Sequence, residues 1–198
     1  MFNGTILSGA RPYTRETREV IEMEKLIVQH EKLIEEGLLS IVKERPEVLE
    51  IKNSSSGARN LADLLGGHKP TIFHDTNEWN PYPKCMQDLI GGMTPDIVLR
   101  SPVSGQNRII IEVKNTEQLG FGVEDSQIIR YFLYLLASTT KIPDKGATDI
   151  RRAVLLCAPS VWFRNAGNAK TWNHFLEHFS GLAKAFDITL GELHAETL

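Results

Sequence analysis

Asp96, Glu112 and Lys114 are the residues in this chain whose types and spacing could do chemistry, the two acids lying sixteen residues apart. They sit in the local sequences GGMTPDIVLRS and RIIIEVKNT. In a strand, side chains at i and i+2 share a face, so Glu112 and Lys114 project together while Ile111 and Val113 face the other way. Residues 96–100 and 108–114 read as an antiparallel hairpin closed by the turn-rich stretch 101–107. The simplest register sets Asp96 opposite Glu112. Carboxylates directly across from each other repel, so a buried arrangement of this kind calls for a cation between them. Hard oxygen donors suit Mg²⁺, with Mn²⁺ as a substitute. The expectation is a divalent-metal site with a lysine beside it.

The elements that must position these residues follow from the surrounding pattern. Residues 16–43 read as a long amphipathic helix stopped near Pro46. A Ser- and Gly-rich loop at 53–57 precedes a short helix around 60–65. Residues 66–92 are punctuated by Gly, Pro and Asn, with one strand candidate at 71–74. After the hairpin, Asp125 reads as the N-cap of a helix over 126–138. Residues 152–158 (RRAVLLCA with its leading Arg151) read as a buried strand, 170–186 as a second amphipathic helix, and 188–193 as a last short strand. The order predicts an α/β sandwich around a central mixed sheet flanked by helices, in a single domain over residues 1–198.

Composition sets the frame. A chain of 198 residues with 41% hydrophobic and 24% charged residues has what an ordinary globular domain needs to bury a core. Two cysteines far apart, Cys85 and Cys157, cannot build a disulfide framework. No signal-peptide pattern is seen at residues 1–11, and no apolar run approaches membrane-spanning length. The expectation is a soluble, cytoplasmic protein without a membrane partner. The net charge of −3 argues against indiscriminate polyanion binding. Charge is uneven, however: residues 16–50 carry a net −5 and residues 140–170 a net +4, and the latter could supply phosphate contacts or simply be a solvated face.

Pro95-Asp96, the gap, and Glu112-x-Lys114 ending an apolar strand, within an αβββαβ order, resemble the PD-(D/E)xK nuclease superfamily. Gln127 and Tyr131 on the next helix match a QxxxY pattern that several of its branches carry, and a spacing of four puts them on one face. Tyr134 and Ser138 continue that stripe, with Ile129, Phe132, Leu133 and Leu136 expected on the packed side. The resemblance covers residues 16–158 and implies a restriction-endonuclease-like fold and a metal-dependent nuclease or endonuclease, a phosphodiester hydrolase acting on DNA. It implies that Asp96 and Glu112 bind Mg²⁺ with the Val113 carbonyl as a further ligand. Lys114 would position the attacking water or stabilise the transition state, and Gln127 and Tyr131 would orient the lysine or contact the backbone. It also implies a possible homodimer, since cutting two strands takes two sites.

Members of that group often add a Glu from the first helix. Against the apolar stripe of Ile27, Ile34, Leu38, Ile41 and Val42, Glu31 falls inside the face and Glu35 on its edge. An acid in a buried stripe is costly unless paired or metal-bound, which makes Glu31 the candidate and Glu35 the second choice. Pairing of Glu31 with a base at the core edge is the plainer reading.

Other motifs point elsewhere. His174-x-x-Glu177-His178 fits the pattern of one zinc-peptidase group, but an amphipathic helix surface explains it more simply, and too little chain follows for a further ligand. His74-Asp75 could assist near the hairpin or belong to a strand-end loop. Trp162, Phe163 and Trp172 could stack on bases but read first as core. Gly120-Phe121-Gly122 is a flexible connection that could gate substrate. The absence of a Gly-rich phosphate loop excludes an ATPase of that type. The alternative to an enzyme is a nuclease-like fold kept as a non-catalytic nucleic-acid-binding or assembly module. The complete set Asp96, Glu112, Lys114, Gln127 and Tyr131 favours the enzyme.

Overall fold

In the computed structural model, residues 15–74, 95–115, 126–138 and 149–197 are described. Helix α1 (Arg15–Glu44) ends at Arg45, and Pro46 opens a single 3₁₀ turn, Pro46–Val48, as expected of a residue that lacks an N–H and fits only a helix start. Leu38, Ile41 and Val42 are buried and Ile34 is half-buried, the i, i+3, i+4 stripe read from the sequence. Helix α2 (Leu61–Leu65) is capped by Asn60, whose side chain accepts from the Asp63 N–H at 3.0 Å. It closes at Gly66, which takes a left-handed φ of 56°.

The sheet has five strands in the order β1 (Thr71–His74), β2 (Ile97–Arg100), β3 (Asn107–Val113), β4 (Arg152–Ala158) and β5 (Ile188–His194). The first three are antiparallel neighbours; β3–β4 and β4–β5 are parallel. β3 is therefore central and buried along its whole length, which is why residues 109–111 form a continuous apolar run rather than an alternating one. The protein is thus α/β, with a mixed sheet between two helical layers. One face packs α1 and α2 against Ile97, Leu99, Ile109 and Ile111. The other packs helices α3 (Gln127–Ala137) and α5 (Ala166–Ala185) against Val98, Ile110, Val154 and Leu156. At the base of the hairpin, Arg108 and Asp149 form a buried ion pair at 2.6 Å. None of the described helices is long and apolar enough to cross a membrane.

Three expectations change. Ser126, not Asp125, caps α3, accepting from the Ile129 N–H; Asp125 lies outside the described residues, as do Gly120–Gly122, Asp75, Cys85, Lys141, Asp144 and Lys145. The orientation of α3 is reversed in part. Tyr131, Tyr134 and Ser138 are buried against the sheet together with Phe132, while Ile129, Leu133 and Leu136 are only half-buried. Periodicity ranks tyrosine as polar, but the sheet beneath α3 presents polar groups; the Tyr134 hydroxyl accepts from Asn107 Nδ2 at 2.8 Å. Finally, α5 begins four residues before position 170, because Asn165 caps it through the Gly167 and Asn168 amides. A further short helix, α4 (Ser160–Arg164), precedes it.

The β5 edge is covered by residues 51–55. Lys52 and Glu192 exchange backbone hydrogen bonds at 2.9 Å in both directions, and the Ser55 N–H donates to the Leu190 carbonyl. Gly191 allows this approach: a Cβ there would stand 2.4 Å from Ile51 Cγ2. Gly191→Ala is therefore expected to destabilise the protein by about 1–3 kcal/mol, measured as a lowered urea midpoint with the slope unchanged.

Candidate active site

The hairpin register is the one read from the sequence. Ile97 pairs with Ile111 and Val98 with Ile110, and carrying the ladder one residue further sets Asp96 across from Glu112. Both project to the α3 side of the sheet, as do Val98 and Ile110. The Val113 N–H donates to Asp96 Oδ2 at 2.6 Å, which ties the acid to the end of β3. The Val113 side chain packs in the opposite core, so any part it plays toward a cation falls to its carbonyl.

Glu112 is 1% exposed, and its Oε1 pairs with Lys114 Nζ at 2.9 Å. Its Oε2 is buried without a hydrogen-bond partner, and so is the Tyr131 hydroxyl. Tyr131 lies near enough to sense the Glu112 charge, although no hydrogen bond of normal geometry joins them. Gln127, at the first position of α3, is half-exposed and makes no hydrogen bond to these acids.

Both first-helix acids reach this region. Glu31 Oε1 accepts from the Asn115 N–H at 2.9 Å, just past Lys114. Glu35 Oε2 is 3.0 Å from His74 Nε2, at the end of β1. His74 is thus a strand-end residue that holds Glu35. The expectation of one Glu becomes two, Glu31 on the Glu112–Lys114 side and Glu35 on the Asp96 side.

Electrostatics at the site are dominated by too much negative charge in too little water. Burial, then the Glu112 charge, with Glu35 adding, pushes the Asp96 carboxyl up to about 8 against the pull of the Val113 N–H and Lys114. Burial also raises Glu112, although Lys114 and Tyr131 pull it down. For Lys114, burial disfavours the ammonium, but Glu112, Asp96 and Glu31 together outweigh it and raise its pKa. Tyr131 is raised by burial and the two acids, so its hydroxyl keeps its proton.

This donor set fits a hard divalent cation. Asp96 and Glu112 offer carboxylate oxygens from facing strands, the orphaned Glu112 Oε2 has no other partner, and two positive charges would relieve the repulsion that raises both pKa values. The acids are not drawn fully together: among the described residues, the group whose three ligand atoms all lie within 4.8 Å of one another is His174, Glu177 and His178.

Arg152 is turned to the carbonyls of Leu135 and Phe186, and Arg151 faces Asp187. Arg152 opens β4 and Arg151 precedes it, at the end of the strand away from Glu112, so among the described residues of the basic stretch Arg164 and Lys170 are the bases without such a role that stand exposed. Trp162 and Trp172 are core residues at 2% and 1% exposure. A network on β5 escaped notice in the sequence. The buried Glu192 accepts from Trp172 Nε1 and Asn53 Nδ2, both at 2.8 Å, and lies 3.1 Å from His194 Nε2. Ser160 Oγ is 2.8 Å from His194 Nδ1, a chain of groups resembling a hydrolytic triad. Glu196, however, accepts from both the amide and the hydroxyl of Ser160. A carboxylate where an oxyanion would need donors makes this a structural clasp. The Glu192-x-His194 spacing on a strand was the available signal.

Comparison with family models, with curated proteins and with solved structures returns no match to this chain.

The raised Asp96 carboxyl has a consequence for stability. Its folded pKa of about 8 lies above the ordinary 3.8, so the folded state binds more protons than the unfolded one between these values. The contribution is present in full below about pH 4 and is lost as pH rises through about 8. In EDTA, urea denaturation is expected to show stability falling from pH 5 to pH 8.5, and Asp96→Asn to flatten that fall. An unchanged slope in the variant would place the charge strain elsewhere.

Proposed function

We propose that the protein is a metal-dependent nuclease that hydrolyses phosphodiester bonds of DNA on a restriction-endonuclease-like αβββαβ scaffold. One observation carries this reading: Asp96 and Glu112 face each other from adjacent strands, Asp96 half-buried and Glu112 buried, with Lys114 held on Glu112. The order α1, β1, β2, β3, α3, β4 supports it, with α2 inserted and α4, α5 and β5 appended.

In this reading Asp96, Glu112 and the Val113 carbonyl hold the ion, with Glu31 and Glu35 reaching it from α1. Mg²⁺ held there would supply a lowered pKa for an attacking water and positive charge against the scissile phosphate. Lys114, kept cationic by Glu112, Asp96 and Glu31, supplies positive charge and a proton donor to the phosphoryl oxygens rather than acting as a base. Tyr131 keeps its proton, so its hydroxyl has a hydrogen to donate, and its position beneath Glu112 suits it to orient that carboxylate. Gln127, half-exposed at the start of α3, is placed to meet the nucleic-acid backbone. His74 steadies Glu35 from β1. The working compartment we assign is the cytoplasm, where a free thiol such as buried Cys157 stays reduced.

The test is incubation with supercoiled plasmid, linear duplex and single-stranded DNA in Mg²⁺, Mn²⁺ or EDTA. Cleavage is expected to require the metal and to fall by at least about 10²-fold in Lys114→Ala. Parallel Glu31→Gln and Glu35→Gln variants rank the two α1 acids by their loss of rate. Metal-independent DNA binding without cleavage would replace the enzyme by the non-catalytic module. Cleavage surviving in Lys114→Ala would remove this site from consideration.

A further inference from the structure

Helix α5 carries a second group of ligands, of a different chemical character. His174, Glu177 and His178 stand at i, i+3 and i+4, so they share one helix face. All three are exposed while Phe175 between them is buried, so this is the outer face of α5, turned away from the sheet. One ligand atom from each residue lies within 4.8 Å of the other two. The imidazole rings stand 4.0 Å apart between centroids. His178 Nδ1 is 2.9 Å from the His174 carbonyl oxygen. A carbonyl can only accept, so Nδ1 carries the hydrogen and Nε2 of the neutral ring presents a lone pair. Metal-bound histidines are commonly oriented in this way, their second N–H donated to a backbone carbonyl.

We propose that His174, Glu177 and His178 form a surface site for a borderline divalent transition ion, with Zn²⁺ as the type ion, separate from the Asp96–Glu112 region. Two imidazoles and one carboxylate select Zn²⁺, Ni²⁺ or Cu²⁺, whereas an all-oxygen site selects Mg²⁺. Bonds of 2.0–2.1 Å to a tetrahedral ion put ligand atoms about 3.3 Å apart, so from separations within 4.8 Å the three side chains close by at most about 1.5 Å on binding. Each stands on the exposed helix surface, where a change of rotamer displaces no packed neighbour. Three protein ligands leave the fourth position to water. The chelate spans one turn within α5 and braces the helix whose other face contributes Trp172 and Phe175 to the core. No acid, histidine or cysteine joins the group as a fourth ligand among the described residues, so a peptidase centre is not part of this assignment. The site stands or falls independently of nuclease activity.

Isothermal titration of the full chain with ZnCl₂, in buffer containing millimolar Mg²⁺, tests it. One equivalent of Zn²⁺ is expected to bind, accompanied by a rise in the melting temperature. His174→Ala and His178→Ala should each weaken binding by at least about tenfold and abolish the thermal shift; Asp96→Asn should change neither. The exposed positions make both histidine variants safe for folding, which circular dichroism checks. Zn²⁺ binding unchanged in both histidine variants, or no binding to the wild-type chain at 100-fold excess of ion, would overturn the proposal. So would binding that is lost in Asp96→Asn.

Discussion

Two carboxylates set across a strand pair and taken out of water are the constraint around which the rest of the protein is arranged. Coulomb repulsion and desolvation both oppose Asp96 and Glu112. The surroundings answer with specific devices: an amide from Val113, an ammonium from Lys114, and a tyrosine hydroxyl beneath. None of these neutralises the group completely. The neighbouring acids Glu31 and Glu35 make the imbalance larger. A fold optimised for stability alone would place valine or leucine at 112, between the apolar run of residues 109–111 and Val113. Four acids stand here around one lysine and one histidine, the excess of negative charge on which the metal-site proposal rests.

How much of this could be read in advance depended on how local the signal was. The hairpin was legible because its register follows from the connecting turn, and the facing of Glu112 and Lys114 from the two-residue repeat of strand side chains, both contained within about twenty residues. β1 and β4 were legible because turn residues bracket their apolar runs. Tyr131 and Tyr134 were misplaced in direction because their burial depends on Glu112 and Asn107, strand residues that helical periodicity does not see. The start of α5 was missed although Asn165 announces it, since an apolar Ala-Gly start carries no amphipathic signal. The pairing of residues 51–55 with β5 and the Glu192 clasp join positions 139 apart in the chain, and no local pattern encodes such a contact.

Glu31 and Glu35 show the same boundary from the other side. The stripe analysis put Glu31 inside the apolar face and Glu35 on its edge, and both are half-buried, because a helix face is a local property. Which strand each would meet is a tertiary property. Glu31 reaches over the end of β3 to the Asn115 amide, and Glu35 turns to His74 on β1. One helix turn therefore separates acids that serve opposite sides of the same region, and the histidine that appeared incidental in sequence becomes the partner of one of them.

The short span between Asp96 and Glu112 also orders events in time. Closing the hairpin joins residues sixteen apart, whereas Glu31 meets Asn115 across 84 residues and Glu35 meets His74 across 39. Loop closure favours the near contact first. At that stage both carboxylates are still hydrated, and their repulsion is weak. It grows only when α1 and α3 close over the hairpin and remove the water. The electrostatic penalty therefore falls on the late side of the folding barrier, where it hastens unfolding far more than it slows folding. A cation held there would reverse this by acting on the closed state alone, and would then govern how long the native protein persists rather than how quickly it forms.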